Sequence, residues 1–110
     1  MARGGFPGMG GNMQQLMRQA QKMQQDVANL QEEIGSRNFT VTVGGGMVTA
    51  VVNGRKEFQS IAINPECVDP SDIEMLQDLI LSAVNEAVRT AEETMTNEMN
   101  KITGGMNIGF

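Results

Sequence analysis

The sequence predicts a single α+β domain with the element order α-β-β-β-α. Three observations lead to this prediction: a heptad pattern of apolar residues before residue 35, three short β-type segments between residues 39 and 63, and a long apolar stripe with helical spacing after residue 72. A chain of 110 residues is long enough for one domain with a modest core. Because the chain has no Trp or Tyr and only four Phe, that core must consist of aliphatic and Met side chains.

The first helix is predicted to begin at Met13 and to stop at Gly35. Its apolar residues recur at alternating spacings of three and four, the a/d pattern of a helix that packs against another helix. The residues of this seam are Met13, Leu16, Ala20, Met23, Val27, Leu30 and Ile34. The partner is either the late helix of the same chain or, as the length of the seam favours, a second copy. The predicted homodimer interface consists of Leu16, Ala20, Met23, Val27 and Leu30.

Three strands are predicted to follow. Residues 39–43 alternate apolar and hydroxyl side chains, as in a strand with one buried face. The glycines at 44–46 permit a reversal into a second strand at 47–52. Asn53-Gly54, the favoured dipeptide of a type I′ hairpin turn, then leads to a third strand around residues 58–63. Two short turns between three strands predict an antiparallel meander.

A second long helix is predicted after Asn64-Pro65, where the sheet ends. Two N-terminal caps are compatible with the sequence: Asp69 with Pro70 at the first helical position, or Ser71 paired with Glu74 as a capping box. The apolar stripe of this helix continues to Ile102.

The two ends of the chain are predicted to lie outside the packed domain. Residues 1–12 are rich in Gly and Met and offer little that could pack, which predicts a disordered arm. Gly104-Gly105 ends the second helix, and residues 104–110 are predicted to form a flexible tail. The single domain is thus expected to occupy residues 13–103.

The composition argues against an enzyme. The chain has no His, its single cysteine Cys67 can form neither an internal disulfide nor a thiolate metal site, and no Ser lies in a nucleophile elbow. We therefore predict no catalytic residues, no metal, no cofactor and no small-molecule substrate. The sequence has no apolar run of membrane-spanning length and no secretory signal, so we predict a cytoplasmic protein without a membrane partner.

The net charge of −5 is unevenly divided along the chain. Residues 1–56 carry six basic and three acidic side chains, whereas residues 57–110 carry two basic and ten acidic ones. Arg18 and Lys22 lie one helical turn apart, where a phosphate backbone could run along them; a solvated helix face is the alternative. The candidate nucleic-acid-binding residues are Arg3, Arg18, Lys22, Arg37, Arg55 and Lys56.

Four stretches of the sequence match a known family in order and spacing. They are the Gly/Met-rich start, residues 16–24 with 30–34, residues 46–48 through Asn53-Gly54 to 61–65, and residues 74–80 with 83–87. Together with the Gly-Gly-Met tail, they make the chain resemble the YbaB/EbfC family of bacterial nucleoid-associated proteins. The resemblance implies a tweezer-like homodimer whose helices project from a joined β body, with a gap suited to duplex DNA.

Two functional hypotheses follow. In the first, the chain is a non-enzymatic nucleoid-associated protein that binds duplex DNA with little sequence specificity and affects nucleoid organisation and gene expression, as the resemblance implies. In the second, it is a protein-protein interaction module that uses its helices and Met-rich surfaces, while its acidic half keeps nucleic acid away. Neither hypothesis requires a cofactor.

Overall fold

The computed structural model describes the backbone of residues 7–104 and the side chains of residues 12–104. Two long helices enclose, in sequence order, a three-stranded antiparallel sheet with the strand order β1-β2-β3. The predicted α-β-β-β-α order is confirmed. The elements are α1 (Pro7–Ser36), β1 (Asn38–Val43), β2 (Val48–Asn53), β3 (Phe58–Ile63), a short 3-10 helix (Pro65–Cys67) and α2 (Ile73–Thr103).

The ends of the helices only partly follow the prediction. α1 begins at Pro7, six residues before the predicted start at Met13, so residues 7–12 of the predicted arm are helical. Pro suits the first helical position because its φ is already near the helical value and its missing N–H is not needed there. α2 ends at Thr103, and Gly104 follows with a positive φ of 63°. Residues 1–6 of the predicted arm and 105–110 of the predicted tail lie outside the described residues.

One face of the sheet carries the apolar side chains of β1 and β2. The register pairs Phe39 with Val52 and Val43 with Val48, so these side chains share a face. Val48, Ala50 and Val52 of the central strand have no solvent exposure. The alternation predicted for the first strand is confirmed, because its apolar positions face the core.

α2 covers this face of the sheet. Its residues Ala83, Ala87 and Ala91 are four apart and fully buried. Because alanine side chains are small, the helix can lie close to the strands. The resulting core is limited in size, and it consists of Ile34, Phe39, Val48, Ala50, Val52, Cys67, Ala83, Ala87 and Ala91.

The C-terminal half of α2 lies beside α1 and runs in the opposite direction. Ile102, near the end of α2, lies against Met23 and Leu30 of α1. Ile34, near the end of α1, joins the core that includes Ala91. The late helix of the same chain therefore packs against the C-terminal half of the predicted seam.

The two turns of the sheet use glycine for different reasons. In the first turn, Gly44, Gly45 and Gly46 all have positive φ, which explains the run of three glycines. In the second turn, Gly54 does not have positive φ, and the type I′ prediction is wrong. Four residues, 54–57, connect β2 to β3, and the left-handed residue is Lys56 with φ of 67°.

Gly54 is required instead because the end of α1 packs directly on the turn. A Cβ at Gly54 would collide with the backbone carbonyl of Ile34. The buried side chain of Asn53 holds the turn: its Oδ1 accepts hydrogen bonds from the backbone N–H groups of Arg55 and Glu57, each 2.9 Å. Its Nδ2 donates to Glu57 Oε1 at 3.0 Å. An Asn side chain that accepts hydrogen bonds from the following backbone N–H groups stabilises a turn.

Neither predicted cap begins α2. The cap is Asp72, whose Oδ1 accepts a hydrogen bond from the backbone N–H of Met75 at 3.3 Å. Asp69 instead closes the preceding turn, where it accepts hydrogen bonds from the Ser71 hydroxyl and the Ser71 backbone N–H. These hydrogen bonds lower the pKa of Asp69. Ser71 lies one residue before the cap position that Asp72 occupies.

The contact between Gly54 and Ile34 can be tested by substitution. We expect Gly54→Ala to lower the free energy of unfolding by about 1–3 kcal/mol, since an added methyl group must displace backbone in a packed site. Gly35→Ala is the matched control, because its added Cβ would meet only the flexible side chain of Arg55, at 3.2 Å. Ala is also the better helix former, so this control should keep or raise stability. Urea unfolding measures the stability of both variants; equal stability of Gly54→Ala and the parent would contradict the close contact between Gly54 and Ile34.

Candidate nucleic-acid interface

The basic residues singled out from the sequence fall into two clusters. Arg18 and Lys22 lie one helical turn apart on α1, and we call these two residues the arm cluster. The second group lies where the end of α1 meets the β2–β3 turn, and we call it the turn cluster; it consists of Arg37, Arg55 and Lys56. The remaining candidate, Arg3, lies outside the described residues.

The arm cluster lies on an exposed part of α1, at whose C-terminal end Lys22 lines a groove together with Ile102 of α2. All side chains of residues 12–22 are exposed, including the apolar Met13, Leu16 and Met17, which are 57–60% exposed. Residues 12–25 contain no acidic side chain. Lys22 forms an ion pair with Asp26 at 3.4 Å, whereas Arg18 forms none with a described residue. The arm cluster is thus a cationic segment in an acidic protein.

The turn cluster is assembled by tertiary packing. The backbone N–H of Gly54 donates to the carbonyl of Arg37 at 3.1 Å, which brings the start of β1 to the β2–β3 turn. The Arg55 side chain lies against Gly35, within about 3.3 Å of where a Cβ would stand. Residues 37, 55 and 56 therefore converge at one end of the sheet. Sequence inspection identified them one by one but did not predict that they meet.

Carboxylates accompany two members of the turn cluster. Arg37 Nη2 donates to Glu33 Oε2 at 2.7 Å, and Lys56 Nζ lies 2.9 Å from Glu92 Oε2 of α2. Arg55 forms no ion pair with any residue that the structure describes. Exposed ion pairs of this kind contribute only about 0–1 kcal/mol, so a stronger anion can replace the carboxylate at little cost.

The two clusters are separated by most of the length of α1. From Arg18 to Ser36 the helix rises about 27 Å at 1.5 Å per residue. This separation approaches one turn of a DNA duplex, about 34 Å. The two clusters can therefore contact separate phosphates of one extended polyanion, whereas they are too far apart to bind one small anion.

A groove lies beside the turn cluster. It has a volume of about 430 Å³ and opens between the β2–β3 turn and α2. The ion pair between Lys56 and Glu92 forms part of its wall. The residues that line it are Gly54, Lys56, Ala91, Glu92, Met95 and Thr96.

The residues predicted for a dimer interface have two kinds of surroundings. Leu16 and Ala20 are exposed, whereas Met23, Val27 and Leu30 are half-buried. Leu30 packs against the core, and α2 of the same chain lies beside this half of the seam. The role of these residues in a dimer stays a prediction.

The sequence pattern did not single out a second apolar surface, the edge strand β3. Every residue of β3 is exposed, and its Phe58, Ile61 and Ile63 are 38–42% exposed. These three residues pair with Val52, Ala50 and Val48, respectively, so they lie on the face of the sheet that α2 covers at β1 and β2. The apolar face thus continues past the edge of α2. The apolar residues of the third segment were visible in the sequence, but their exposure depends on where α2 crosses the sheet.

The described residues include neither a membrane-spanning helix nor a cluster of metal-ligating side chains. No helix in residues 7–104 combines the length and the apolar character needed to cross a membrane. The described side chains form no group of His, Cys, Asp and Glu that could hold a metal ion. Cys67 is buried, and its thiol lies 3.9 Å from the carbonyl of Met47.

Comparison with known proteins relates this arrangement to one family. Residues 9–106 match the family described as the YbaB/EbfC DNA-binding family. A nucleoid-associated protein of Clostridium acetobutylicum is 61% identical over 109 residues, covering 98% of this chain and 97% of the relative. A nucleoid-associated protein of Acetivibrio thermocellus is 58% identical over 106 residues, covering 96% and 94%.

The fold also matches a solved structure. The crystal structure of an uncharacterized protein from Helicobacter pylori superimposes with a TM-score of 0.69 at 27% identity, covering 83% of this chain and 96% of that one. The α-β-β-β-α arrangement is thus shared with a more distant protein, while the sequence match extends over nearly the whole chain. The chain belongs to the YbaB/EbfC DNA-binding family.

Proposed function

We propose that the chain is a non-enzymatic nucleoid-associated protein that binds duplex DNA in the bacterial cytoplasm. The observation that carries this proposal, beside membership of a DNA-binding family, is the placement of two basic clusters about 27 Å apart along α1. Both clusters consist of Lys and Arg, which contact DNA phosphates. By binding in this way the protein would act on nucleoid organisation and, through it, on gene expression.

Binding of this kind has little sequence specificity. Contacts to phosphates position a protein on the duplex but carry no direct sequence information. The five described basic candidates all have exposed positions, and none is held in a buried pocket that would fix it for reading a base edge. We therefore assign them to the DNA backbone, with Arg3 as a further candidate outside the described residues.

We further propose that the protein functions as a homodimer, in which a second copy covers β3. Phe58, Ile61 and Ile63 continue the apolar core face beyond α2, and one edge of β3 has no strand beside it among residues 7–104. A second copy of β3 would pair with that edge and bury these side chains, as a strand does when it adds to a sheet edge. A dimer also doubles the number of basic clusters, which strengthens the interaction of an acidic chain with DNA.

The predicted helix seam is the competing interface. α2 of the same chain already lies beside Met23 and Leu30, so a second copy has free access only to the part of the seam near Leu16 and Ala20. We therefore propose β3 as the main interface and the exposed part of the seam as a smaller surface.

A second candidate function is a protein-protein interaction module without direct DNA binding. The exposed Met13, Leu16 and Met17 favour it, because adaptable methionines on a helix suit contact with another protein. A titration with duplex DNA separates the two functions: saturable binding supports the first, whereas no binding by micromolar protein at low salt would leave only the second.

The arm cluster gives the first test of DNA binding. We expect Arg18→Ala with Lys22→Ala to weaken binding on all duplex sequences alike, because two phosphate contacts per chain are lost. The slope of log K against log salt should become less steep by about 1.8 for each chain in contact with the duplex. Fluorescence anisotropy with two unrelated duplexes, at about 50 and 200 mM salt, measures both the affinity and its salt slope.

The matched control is Arg89→Ala with Lys101→Ala. It removes the same charge, but both residues lie on α2 and pair with Glu86 and Glu98 of that helix. This control should retain most of the affinity and the salt slope. If the two double variants bound DNA equally well, the arm cluster would not be part of the interface.

The two dimer interfaces are separated by two single substitutions. We expect Ile61→Lys to convert the dimer to a monomer, because a charge would be buried where two copies of β3 meet. Leu16→Lys should leave the dimer intact. Both side chains are exposed in the single chain, so neither change should unfold it, and circular dichroism verifies this. Sedimentation equilibrium that showed Ile61→Lys as a dimer and Leu16→Lys as a monomer would move the interface to the helix seam.

A further inference from the structure

Lys56 has an unusual backbone conformation for a residue with a long side chain. Its φ of 67° lies in the left-handed region, and no other non-glycine residue among those described has positive φ. Gly and Asn are the residues that normally occupy this region. The Asn53 side chain fixes the turn around it, and the Lys56 N–H donates to the Asn53 carbonyl at 2.9 Å. Non-glycine residues held in this conformation cluster at functional sites.

The side chain of Lys56 is paired across the fold. Its ammonium lies 2.9 Å from Glu92 Oε2 of α2, and both side chains are about half exposed. Each of the other ion pairs among residues 7–104 joins residues three or four positions apart in the chain. The pair between Lys56 and Glu92 is therefore the one that joins separate elements in the described structure.

The groove beside this pair can accommodate an anion. Gly54 and Ala91 are small, which leaves space between the turn and α2. Thr96 follows Glu92 by one helical turn and also lines the groove, and its hydroxyl forms no hydrogen bond with a described residue. An ammonium and a free hydroxyl are both donors that phosphate oxygens accept from. Arg55 lies at the same turn and adds positive charge without an ion pair to a described residue, whereas Arg37 there is paired with Glu33.

We propose that this groove is a subsite for a backbone phosphate of duplex DNA. Without DNA the Glu92 carboxylate pairs with the ammonium of Lys56, and on binding the phosphate displaces this carboxylate. This inference rests on the proposed function. The carboxylate and the phosphate present the same kind of anionic oxygen to the ammonium, so one can replace the other without rearrangement of the turn. Because the ion pair is half exposed, breaking it costs little.

The subsite makes Lys56 and Glu92 act in opposite directions on DNA affinity. Removal of Lys56 deletes a phosphate contact, whereas neutralisation of Glu92 deletes the competitor for that contact. A purely structural ion pair would behave differently, because loss of either partner would then affect only stability. The signs of the two effects therefore distinguish a binding subsite from a structural pair.

The experiment compares Lys56→Gly, Glu92→Gln and the parent for binding to one duplex. Gly adopts φ of 67° without steric strain, so Lys56→Gly should keep or raise the melting temperature while it removes the charge. Between 50 and 200 mM salt, one phosphate contact accounts for about a 3.5-fold change in affinity, so the salt slope of this variant should be less steep by about 0.9 per site. Lys56→Asn repeats the test without added flexibility, because Asn also tolerates this conformation.

Glu93→Gln is the matched control for Glu92→Gln. Glu93 is the next residue of α2, is exposed and forms no ion pair with a described residue, so the control makes the same change of net charge. We expect Glu92→Gln to raise DNA affinity about two- to fivefold, the range corresponding to an exposed ion pair, and to exceed the effect of Glu93→Gln.

The outcomes separate the subsite from the proposed function. If the parent does not bind duplex DNA at low salt, the proposed function fails and the subsite fails with it. If the parent binds but Lys56→Gly and Lys56→Asn keep its salt slope, or Glu92→Gln gains no more affinity than Glu93→Gln, the subsite is overturned while DNA binding stands.

Discussion

The close packing of the end of α1 on the β2–β3 turn determines the geometry of the whole molecule. Ile34 is fully buried there, and its carbonyl lies where a side chain at Gly54 would otherwise be. This contact fixes the direction in which α1 leaves the sheet. It also brings Arg37 to the turn that carries Arg55 and Lys56, and it places Lys56 within reach of α2. One glycine thus positions both the arm cluster and the turn cluster.

The second constraint is the small size of the core. A compact chain of 110 residues would have a radius of gyration of about 13 Å, whereas this chain has 22.8 Å and extends over 86 Å. Three of its nine core residues are alanines of α2, which bring the helix close to the sheet but bury little apolar area each. The exposed apolar face of β3 continues the apolar face of the core to the edge of the sheet. The proposed dimer would cover this exposed core face.

The sequence predicted those features that depend on local periodicity and composition. The heptad seam of α1, the alternation in the first strand and the stripe of α2 each follow from side chains that repeat within one element. The sequence could not show that α2 would lie beside Met23 and Leu30, because an a/d seam accepts a helix from the same chain or from another.

The turn and the caps show the same limit at shorter range. Asn53-Gly54 has the composition of a type I′ turn, yet the role of Gly54 is decided by its contact with Ile34, which lies twenty positions earlier in the sequence. Asp72 caps α2, whereas Asp69 and Ser71, both predicted as caps, bond each other in the turn that precedes the helix. The pairing of Lys56 with Glu92 likewise depends on the position of α2 and has no signature in the sequence.

The separation of charge along the fold explains how an acidic chain can present a surface for DNA. Residues 12–25 carry Arg18 and Lys22 without a carboxylate, and the first acidic residue of α1 after them is Asp26. Along the helix Asp26 lies about 12 Å from Arg18, which exceeds the screening length of about 10 Å at 0.1 M salt. A phosphate at Arg18 therefore responds mainly to local positive charge.

Two basic residues of the turn cluster have carboxylates close by. Glu33 and Glu92 are in direct contact with Arg37 and Lys56, and salt does not screen the attraction within these ion pairs at that distance. In each cluster one arginine, Arg18 or Arg55, forms no ion pair with a described residue, whereas Lys22, Arg37 and Lys56 are paired with carboxylates. The net charge of −5 therefore says little about either cluster, because an unpaired arginine can attract a polyanion directly and a paired residue only in exchange for its carboxylate.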